Sequence, residues 1–558
     1  MGQNKQKQNF KDYKKQRDRI NQMREKRAQM AVSIIAVAFF LALTALYPLY
    51  IWKSKYLNLT YEKTFFYWML TLVLAVPLVC AAIVKKSCHV KVPEQADPKK
   101  KFTVAKWSLV AFLSFCLLSA LTVSRLPWGE SVKSSVWLGY SGRFEGVISF
   151  FCYGAAFFLI AWFYRPRRWH MLIVAASAIM LSLCGILQFG GHDVFELFPF
   201  EDFPAYGALS AYFRTTLGNI NIVSAYCTFS VVLFAALFAV SDTFFRFDAL
   251  YLVASALSFA LMLIARGDAS YVAVAASMVL CLPYWLSDKK RLGKILIALS
   301  GWCAAYGAFC AYVADKKSQY EIAPEDFARG DRSFLNGFEP VNLRFWFFLA
   351  LFLFAAGLLL VLLRFGWPGR IMKISGIFAL PAALIAGFLF VEFGGPKWAD
   401  TPNNIIWQMR EILHGRFDDN FGSKRGWVWK RAFSVLFDRP IFGAGPDSFY
   451  YALGEQLQGE SWIDNGVIFD KAHNIFLQIA VCMGLPALMS YLAFLGSLFA
   501  SALKKAFMRP YLLAFGATAA SYFIQSFFCV EVPLTTPLFW VCLGVMAGEI
   551  SRGDEKDI

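Results

Sequence analysis

Residues 31–52 read AVSIIAVAFFLALTALYPLYIW, a run without a single charged side chain. Because a helix rises about 1.5 Å per residue, this run is long enough to cross the roughly 30 Å hydrocarbon core of a bilayer. No small-residue cleavage site follows it, which favours an uncleaved first membrane helix over a signal peptide. The stretch therefore predicts a chain that folds in a membrane.

The composition and the other apolar runs indicate the same class of protein. The chain has 558 residues, of which 58% are hydrophobic and 17% aromatic, too apolar for a soluble domain. The sequence predicts an all-α polytopic membrane protein with about fourteen spanning helices in contact with the lipid bilayer. The predicted spans are 31–52, 64–84, 105–124, 145–164, 169–189, 220–240, 247–265, 268–286, 293–313, 342–363, 372–392, 474–500, 510–528 and 533–550.

The basic residues predict the orientation of these spans. The net charge is +17, but Lys and Arg concentrate in the polar arm 1–30 and in short segments between apolar runs. If the arm is cytoplasmic, alternation places six basic segments in the cytoplasm, as the positive-inside rule requires. They are 85–106, 165–168, Arg246, 289–294, 364–373 and 504–509. The tail 551–558 is then also cytoplasmic. Nucleic acid is not an expected partner, and the arm is either a topology signal or a contact for anionic lipid.

The longest connection on the opposite, extracytoplasmic side is predicted to carry the function. It covers residues 393–473, between spans 1–11 (31–392) and spans 12–14 (474–550). A connection of this length in a protein with short loops is typical of a functional segment. It mixes charged residues with tryptophans, which favours a small cap with short amphipathic helices.

A histidine closes this long segment, in Lys471-Ala472-His473-Asn474. Imidazole is the side chain best suited to moving a proton near neutral pH, so His473 is a candidate general base for a hydroxyl. The alternative is an interfacial histidine that only hydrogen-bonds a neighbouring loop. The twelve cysteines show no CxxC motif and no metal-ligand spacing, so neither a zinc site nor a disulfide scaffold is predicted.

Three arginines are predicted to lie on the same side as His473. Arg425 is one helical turn from Trp429, and a Pro440 turn with Gly443-x-Gly445 follows. Gly-x-Gly alone is too weak a motif to predict a phosphate loop.

The other two arginines stand at helix edges, Arg214 in FRTTLGNIN (213–221) and Arg266 in ARGD (265–268). Each alone could be a snorkelling side chain. Together with Arg425 and His473 they form a candidate anion site, because a guanidinium group can make bidentate hydrogen bonds to phosphate oxygens. Arg143 and Glu145 are a further charged pair, interpreted as a structural ion pair or an accessory part of the site.

In these motifs the sequence resembles the O-antigen ligase and O-antigen polymerase family of bacterial membrane glycosyltransferases. The resemblance consists of Arg425 with Trp429, Pro440 with Gly443, Gly445 and Phe449, and His473-Asn474 before a helix with Gly484. Arg214 with Gly218 and Asn221, and Arg266-Gly267, resemble the family's other arginine segments. The long basic arm and the number of spans depart from many relatives, which leaves the acceptor and the partners open.

The resemblance implies a GT-C-like fold and an activity at the extracytoplasmic face of the bacterial inner membrane. A glycan would move from a polyprenyl (undecaprenyl) pyrophosphate carrier to a hydroxyl of a glycan, lipid or protein acceptor, with inversion and without a metal or another cofactor. His473 would be the base, Arg214 and Arg266 the donor pyrophosphate clamps, and Arg425 a ligand contact or a loop brace. Asn474, Asn221, Arg143 and Glu145 would have supporting roles.

Three alternatives remain at this point. Within the enzyme class, an O-antigen-type polymerase or a protein O-oligosaccharyltransferase would use the same donor chemistry. A lipid-linked glycan flippase also has many helices, although transporters usually place polar residues near the bilayer midplane in repeated halves, a duplication that this sequence lacks. A non-catalytic envelope scaffold would not need His473.

Overall fold

In the part of the chain that the structure describes, the regular structure is helical apart from one pair of two-residue strands. The computed structural model describes residues 2–87, 103–123, 130–198, 213–241, 247–320, 343–394, 405–457 and 469–552. The helices are α1 Gly2–Leu41, α2 Leu59–Ser87, α3 Thr103–Val123, α4 Glu130–Leu138, α5 Val147–Phe163, α6 Arg168–Phe189, α7 Ile220–Val240, α8 Ala249–Ala265, α9 Asp268–Leu280, α10 Leu282–Leu286, α11 Lys289–Tyr320, α12 Leu343–Leu362, α13 Gly369–Leu389, α14 Ile405–Leu413, α15 Phe421–Asp438, α16 Phe449–Leu457, α17 Ile475–Met483, α18 Leu485–Lys505, α19 Pro510–Gln525 and α20 Thr536–Ser551. The strands are β1 Phe213–Arg214 and β2 Gly218–Asn219, which pair antiparallel.

The basic arm and the first span form one helix. α1 begins at Gly2 and continues through the arm into the apolar run without a break. It ends in a π-helical stretch, Ala42–Leu46, and a short helix, Tyr47–Leu49. The chain turns there because Pro48 cannot donate a backbone hydrogen bond. The Pro48 carbonyl accepts a hydrogen bond from the Lys63 ammonium of α2 across 2.9 Å.

The helices are of membrane type. Within the described part of the chain, nine helices are long and apolar enough to cross a membrane, and four more apolar helices are shorter: α5, α8, α9 and α20. The predicted count of fourteen spans stays a prediction. Two predicted runs are not single helices, since 268–286 breaks at Cys281 between α9 and α10, and 474–500 breaks at Gly484 between α17 and α18.

Helix α7 forms the centre of the bundle. Nearly its whole length is buried, and it packs against α8, α9, α11 and α19. By contrast, α12 and α13 bury little of their surface and expose large apolar side chains such as Phe348, Phe352 and Leu384. Exposed apolar surface of this extent is stable only against lipid or another apolar partner. The core therefore surrounds α7, and α12 and α13 lie at its edge.

The described parts of the long connection 393–473 contain three helices, as the amphipathic composition predicts. They are α14, α15 and α16, and α15 packs against α17, the helix that follows the connection. A further helix, α4, lies between the predicted spans 105–124 and 145–164. The connection is thus an integral part of the bundle end where α17 begins.

Candidate active site

His473 lies in a tight turn directly before α17. Its backbone has φ +51°, in the left-handed region that residues other than glycine rarely adopt. The turn is held on both sides of His473: the Ala472 N–H donates to Gln478 Oε1 across 2.8 Å, and the Ile475 N–H donates to the Ser526 carbonyl across 3.1 Å. Such strain persists only where surrounding contacts fix the backbone. The imidazole is therefore presented by a rigid turn.

Asn474 has a structural task in this turn. Its Oδ1 accepts hydrogen bonds from the backbone N–H groups of Phe476 (3.0 Å) and Leu477 (3.1 Å), which makes Asn474 the N-cap of α17. An asparagine in this position satisfies amide groups that the helix leaves without partners. Asn474 thus supports the His473 turn by fixing the start of the following helix.

Trp429 connects the turn to α15. Its indole N–H donates to the Ala472 carbonyl across 2.8 Å. The ring stacks on Phe417 with a centroid distance of 6.1 Å and contacts Phe527 edge-on at 6.2 Å. The aromatic contacts fix the ring, so the hydrogen bond holds the residue immediately before His473.

Arg425 lies one turn before Trp429 in α15, as the spacing predicts. Its Nη1 donates to the Gly422 carbonyl across 2.8 Å. Its Nε is buried and has no hydrogen-bond partner among the described residues. A buried guanidinium N–H without a partner is costly. Arg425 therefore offers a donor that an anionic ligand could satisfy.

The surroundings of His473 keep its imidazole neutral. Burial, and secondly the positive charge of Arg425, lower the pKa of His473 from 6.5 to about 4. A neutral imidazole can accept a proton at physiological pH, which is what a general base requires. The electrostatic interaction also shows that Arg425 and His473 are neighbours.

Arg266 lies in the turn between α8 and α9. Its backbone is left-handed, with φ +53°. Gly267 follows and packs so closely on Ser224 of α7 that a Cβ there would overlap the serine hydroxyl. Arg266 and Arg425 both act electrostatically on Asp268, the first residue of α9. The two arginines therefore lie around one carboxylate.

A chain of polar contacts connects the Arg266 turn to the His473 turn. Ser224 and Ser270, in the first turns of α7 and α9, share a hydrogen bond. Gln525 Nε2 donates to Ser270 Oγ across 3.2 Å, and the next residue, Ser526, accepts from Ile475. The structure thus brings His473, Arg425 and Arg266 together at one end of the bundle.

Arg214 is buried in β1, a few residues before α7. The next residue, Thr215, has φ +55° and donates its N–H to Gln188 Oε1 across 2.6 Å, while its carbonyl accepts from the Tyr56 hydroxyl across 2.7 Å. Arg214 is thus fixed at the same end of α7 as Ser224, in a region formed with α6 and with the chain between α1 and α2. Asn221 is exposed. Its backbone N–H donates a hydrogen bond to Oδ1 of Asn219, the N-cap of α7, across 2.9 Å.

The interpretation of Arg143 and Glu145 as one ion pair is wrong. Arg143 makes a bidentate ion pair with Asp470, with Nε–Oδ2 2.6 Å and Nη2–Oδ1 3.1 Å. Glu145 instead pairs with Lys471. The two side chains point to successive residues of another segment, which no local pattern could predict.

Sequence reasoning missed a buried charged group next to the site. The Nζ of Lys471 contacts Glu145 Oε2, lies 3.2 Å from Asp447 Oδ1 and donates to the Glu531 carbonyl across 2.9 Å. Asp447 Oδ2 in turn accepts from the backbone N–H groups of Tyr140 (2.8 Å) and Glu145 (3.0 Å). The available signal was a lysine next to Asp470 and two positions before the candidate base.

The glycines after Pro440 permit close backbone contact. Gly443 and Gly445 have φ +66° and +103°. In this turn the Ala444 N–H donates to the Val481 carbonyl across 2.9 Å, and the Gly445 N–H donates to the Cys482 carbonyl across 2.7 Å. A Cβ on Gly443 would overlap the backbone of Cys482. The turn thus satisfies the carbonyl groups at the end of α17.

The fold defines a polytopic helical membrane protein with a histidine–arginine site at one end. Residues 347–492 match the family model of the O-antigen ligases, a segment that contains α13–α17, Arg425 and His473. A comparison with curated proteins found no match. The resemblance to the O-antigen ligase family is thereby confirmed, and it indicates a membrane-embedded enzyme of the glycosyltransferase type. Arg214, Arg266, Arg143 and Glu145 lie outside the matched segment.

Proposed function

We propose that this protein transfers a glycan from a polyprenyl (undecaprenyl) pyrophosphate carrier to an acceptor hydroxyl, in the manner of an O-antigen ligase. The observation that carries the proposal is that Arg425 acts electrostatically on His473, both within the family-matched segment. His473 offers a neutral base, and Arg425 offers a buried N–H group that has no hydrogen-bond partner among the described residues. A hydroxyl nucleophile and an anionic leaving group need these two functions.

The proposed reaction is a single displacement. The acceptor oxygen attacks the anomeric carbon while the bond from that carbon to the pyrophosphate oxygen breaks, which inverts the anomeric centre. His473 takes the proton of the acceptor hydroxyl, and the carrier pyrophosphate leaves as the anion. Because the leaving group is already activated, the protein has to orient the reactants and neutralise the developing charge.

The arginines serve as the donor site. Arg425 and Arg266 lie around Asp268, and Arg425 also acts electrostatically on the proposed base. Arg214 lies at the same end of α7 and adds a third cation. Permanently charged, planar guanidinium groups suit pyrophosphate oxygens and replace the charge that a metal would otherwise supply. The proposed metal independence rests on this chemistry and on the resemblance.

The proposed location is the extracytoplasmic face of the bacterial inner membrane, with both termini in the cytoplasm. This orientation is supported by the basic segments near 165–168, 289–294 and 364–373, which all fall at the end of the bundle opposite to His473. A carrier with a prenyl tail would stay in the bilayer and present its pyrophosphate at this surface.

The test is reconstitution of the purified protein in liposomes with a polyprenyl-pyrophosphate glycan. The His473→Ala variant is expected to lose on the order of 10²–10⁴-fold in transfer, the usual contribution of a general base. His414→Ala is the matched control, because the His414 side chain is exposed and, among the described residues, hydrogen-bonds only Glu392. Unchanged turnover in folded His473→Ala protein would remove the base assignment.

The same system separates the alternatives. Glycan, lipid and protein acceptors are offered one at a time, and the acceptor that becomes glycosylated distinguishes ligase, polymerase and protein O-oligosaccharyltransferase. Movement of the donor across the bilayer without transfer to any acceptor would support a flippase and would overturn the proposal.

A further inference from the structure

Two parallel ion pairs join the segment before α5 to the segment that carries His473. Arg143 pairs with Asp470, and Glu145 pairs with Lys471, so the signs of the charges alternate along both segments. The second pair is buried: the side chains of Lys471 and Glu145 are each 2% exposed, and that of Asp447 is 0% exposed. The pairing therefore fixes the residues just before the proposed base.

The Lys471 ammonium contacts three different parts of the chain. It hydrogen-bonds Glu145 before α5 and the Glu531 carbonyl between α19 and α20, and it forms an ion pair with Asp447 before α16. Burial alone would lower the pKa of Lys471, but the carboxylates of Asp447 and Glu145 outweigh it and raise the pKa. The ammonium thus stays charged at physiological pH.

The Lys471 side chain completes the set of contacts around the strained His473 backbone. Trp429, Gln478 and Ser526 hold the main chain of residues 472 and 475. Lys471 adds a side-chain anchor on the other side, toward α5 and the α19–α20 connection. A left-handed backbone at a histidine is maintained only if contacts of this kind act from several directions.

We propose that Lys471 is a positioning residue of the transferase: its buried ammonium, held by Glu145 and Asp447, keeps the His473 turn in the orientation that places the imidazole beside Arg425. The inference rests on the proposed function for its effect on catalysis. It assigns to the segments 143–145 and 470–471 a role in the alignment of the base, and Lys471 itself does not touch the reacting atoms.

The first test is the kinetics of the Lys471→Met variant, which keeps the length of the side chain and removes its charge. A displaced base is expected to lower kcat by on the order of 10²-fold, while the KM for the lipid-linked donor changes less than about threefold, since the arginines are intact. Arg509→Met is the control, because Arg509 pairs with Glu549 (3.9 Å) at the opposite end of the bundle. This variant should keep the native kcat in the folded fraction.

The second test does not depend on activity. Diethylpyrocarbonate modifies neutral histidines, and mass spectrometry of the His473 peptide gives its rate of modification, with exposed His414 as the internal reference. In Lys471→Met, His473 should react several times faster than in the native protein, while His414 is unchanged. If Lys471→Met does not fold, Glu145→Gln provides the same comparison with almost no change in volume.

The outcomes separate the two proposals. Altered His473 reactivity in a protein that transfers no glycan would support the positioning role and contradict the proposed function. A folded variant with native kcat and native His473 reactivity would overturn the positioning role and leave the proposed function in place. Equal losses of kcat in Lys471→Met and Arg509→Met would show a general effect on folding and would also overturn it.

Discussion

The indole N–H of Trp429 donates to the carbonyl of Ala472 across 2.8 Å. This hydrogen bond joins α15, which carries Arg425, to the turn that carries His473. Arg425 lies one helical turn before Trp429, so the same helix presents the guanidinium and holds the backbone beside the imidazole. Trp429 is therefore one of the contacts that set the separation between the proposed base and the proposed donor contact.

Replacing Trp429 by Phe should weaken this connection without loss of the aromatic packing. The variant loses one hydrogen bond, which typically contributes about 1 kcal/mol to stability. We expect a small decrease in the midpoint of thermal unfolding and a several-fold decrease in transfer rate. Trp427→Phe is the control, since Trp427 packs on Phe469 (5.5 Å between centroids) and Arg431 (3.9 Å). Equal rates in the two variants would contradict the bridging role.

Removal of the positive charge of Arg425 should change the pH dependence of transfer. Burial and Arg425 lower the pKa of His473 to about 4, so the free native enzyme should lose kcat/KM only as the pH falls toward 4 and the imidazole becomes protonated. In Arg425→Gln the pKa of His473 should rise toward 6.5, and the acidic limb of kcat/KM should move to higher pH. The profile is measured between about pH 4 and 9.

Lys430→Gln is the matched control for this shift. Lys430 lies on the same helix, is half exposed and pairs with Asp419 at 2.7 Å. Replacing Lys430 removes one positive charge without a change near His473. The acidic limb of kcat/KM in Lys430→Gln should therefore coincide with that of the native protein. An identical midpoint in Arg425→Gln would show that Arg425 does not act on the base.

Gly484→Ala should destabilise the connection between α17 and α18. Gly484 has φ +88°, and a Cβ there would overlap the Ile441 carbonyl. The left-handed backbone alone costs about 1–3 kcal/mol for other residues. Gly496→Ala in α18 has open space around the new methyl group. It should be neutral or stabilise by about 0.5–1 kcal/mol. Thermal unfolding of both variants in detergent gives the comparison, and equal midpoints would refute the close packing.

The orientation can be tested by cysteine labelling in spheroplasts. Arg416 lies in the long connection with its side chain 66% exposed, and Arg364 lies exposed between α12 and α13. With a membrane-impermeant maleimide, Arg416→Cys should be labelled in intact spheroplasts and Arg364→Cys only after lysis. The native protein gives the background. The reverse pattern would invert the topology and place the site in the cytoplasm.

The membrane fold was predictable from the sequence because it depends on a local property. Runs such as 31–52 are long and uncharged, and a bilayer accepts only segments whose backbone polar groups bond within the segment. The interruptions at Cys281 and Gly484 were not predictable from hydropathy, because both lie inside apolar runs. At Gly484 the interruption accompanies close packing, in which the Ile441 carbonyl approaches the glycine. At Cys281 it lies two residues before Pro283, at the start of α10.

The membrane class, the resemblance to the O-antigen ligase family and the residue types of the candidate site follow from the amino-acid sequence, since His473, Arg425 and Trp429 lie in short motifs of fixed spacing. The partners of the charged side chains are visible only in the folded chain. Arg143 and Glu145 are neighbours in sequence, yet they pair with Asp470 and Lys471, more than three hundred positions away. Charge interactions depend on distance in space, and in a buried environment the folded chain selects the partner that is nearest and best oriented.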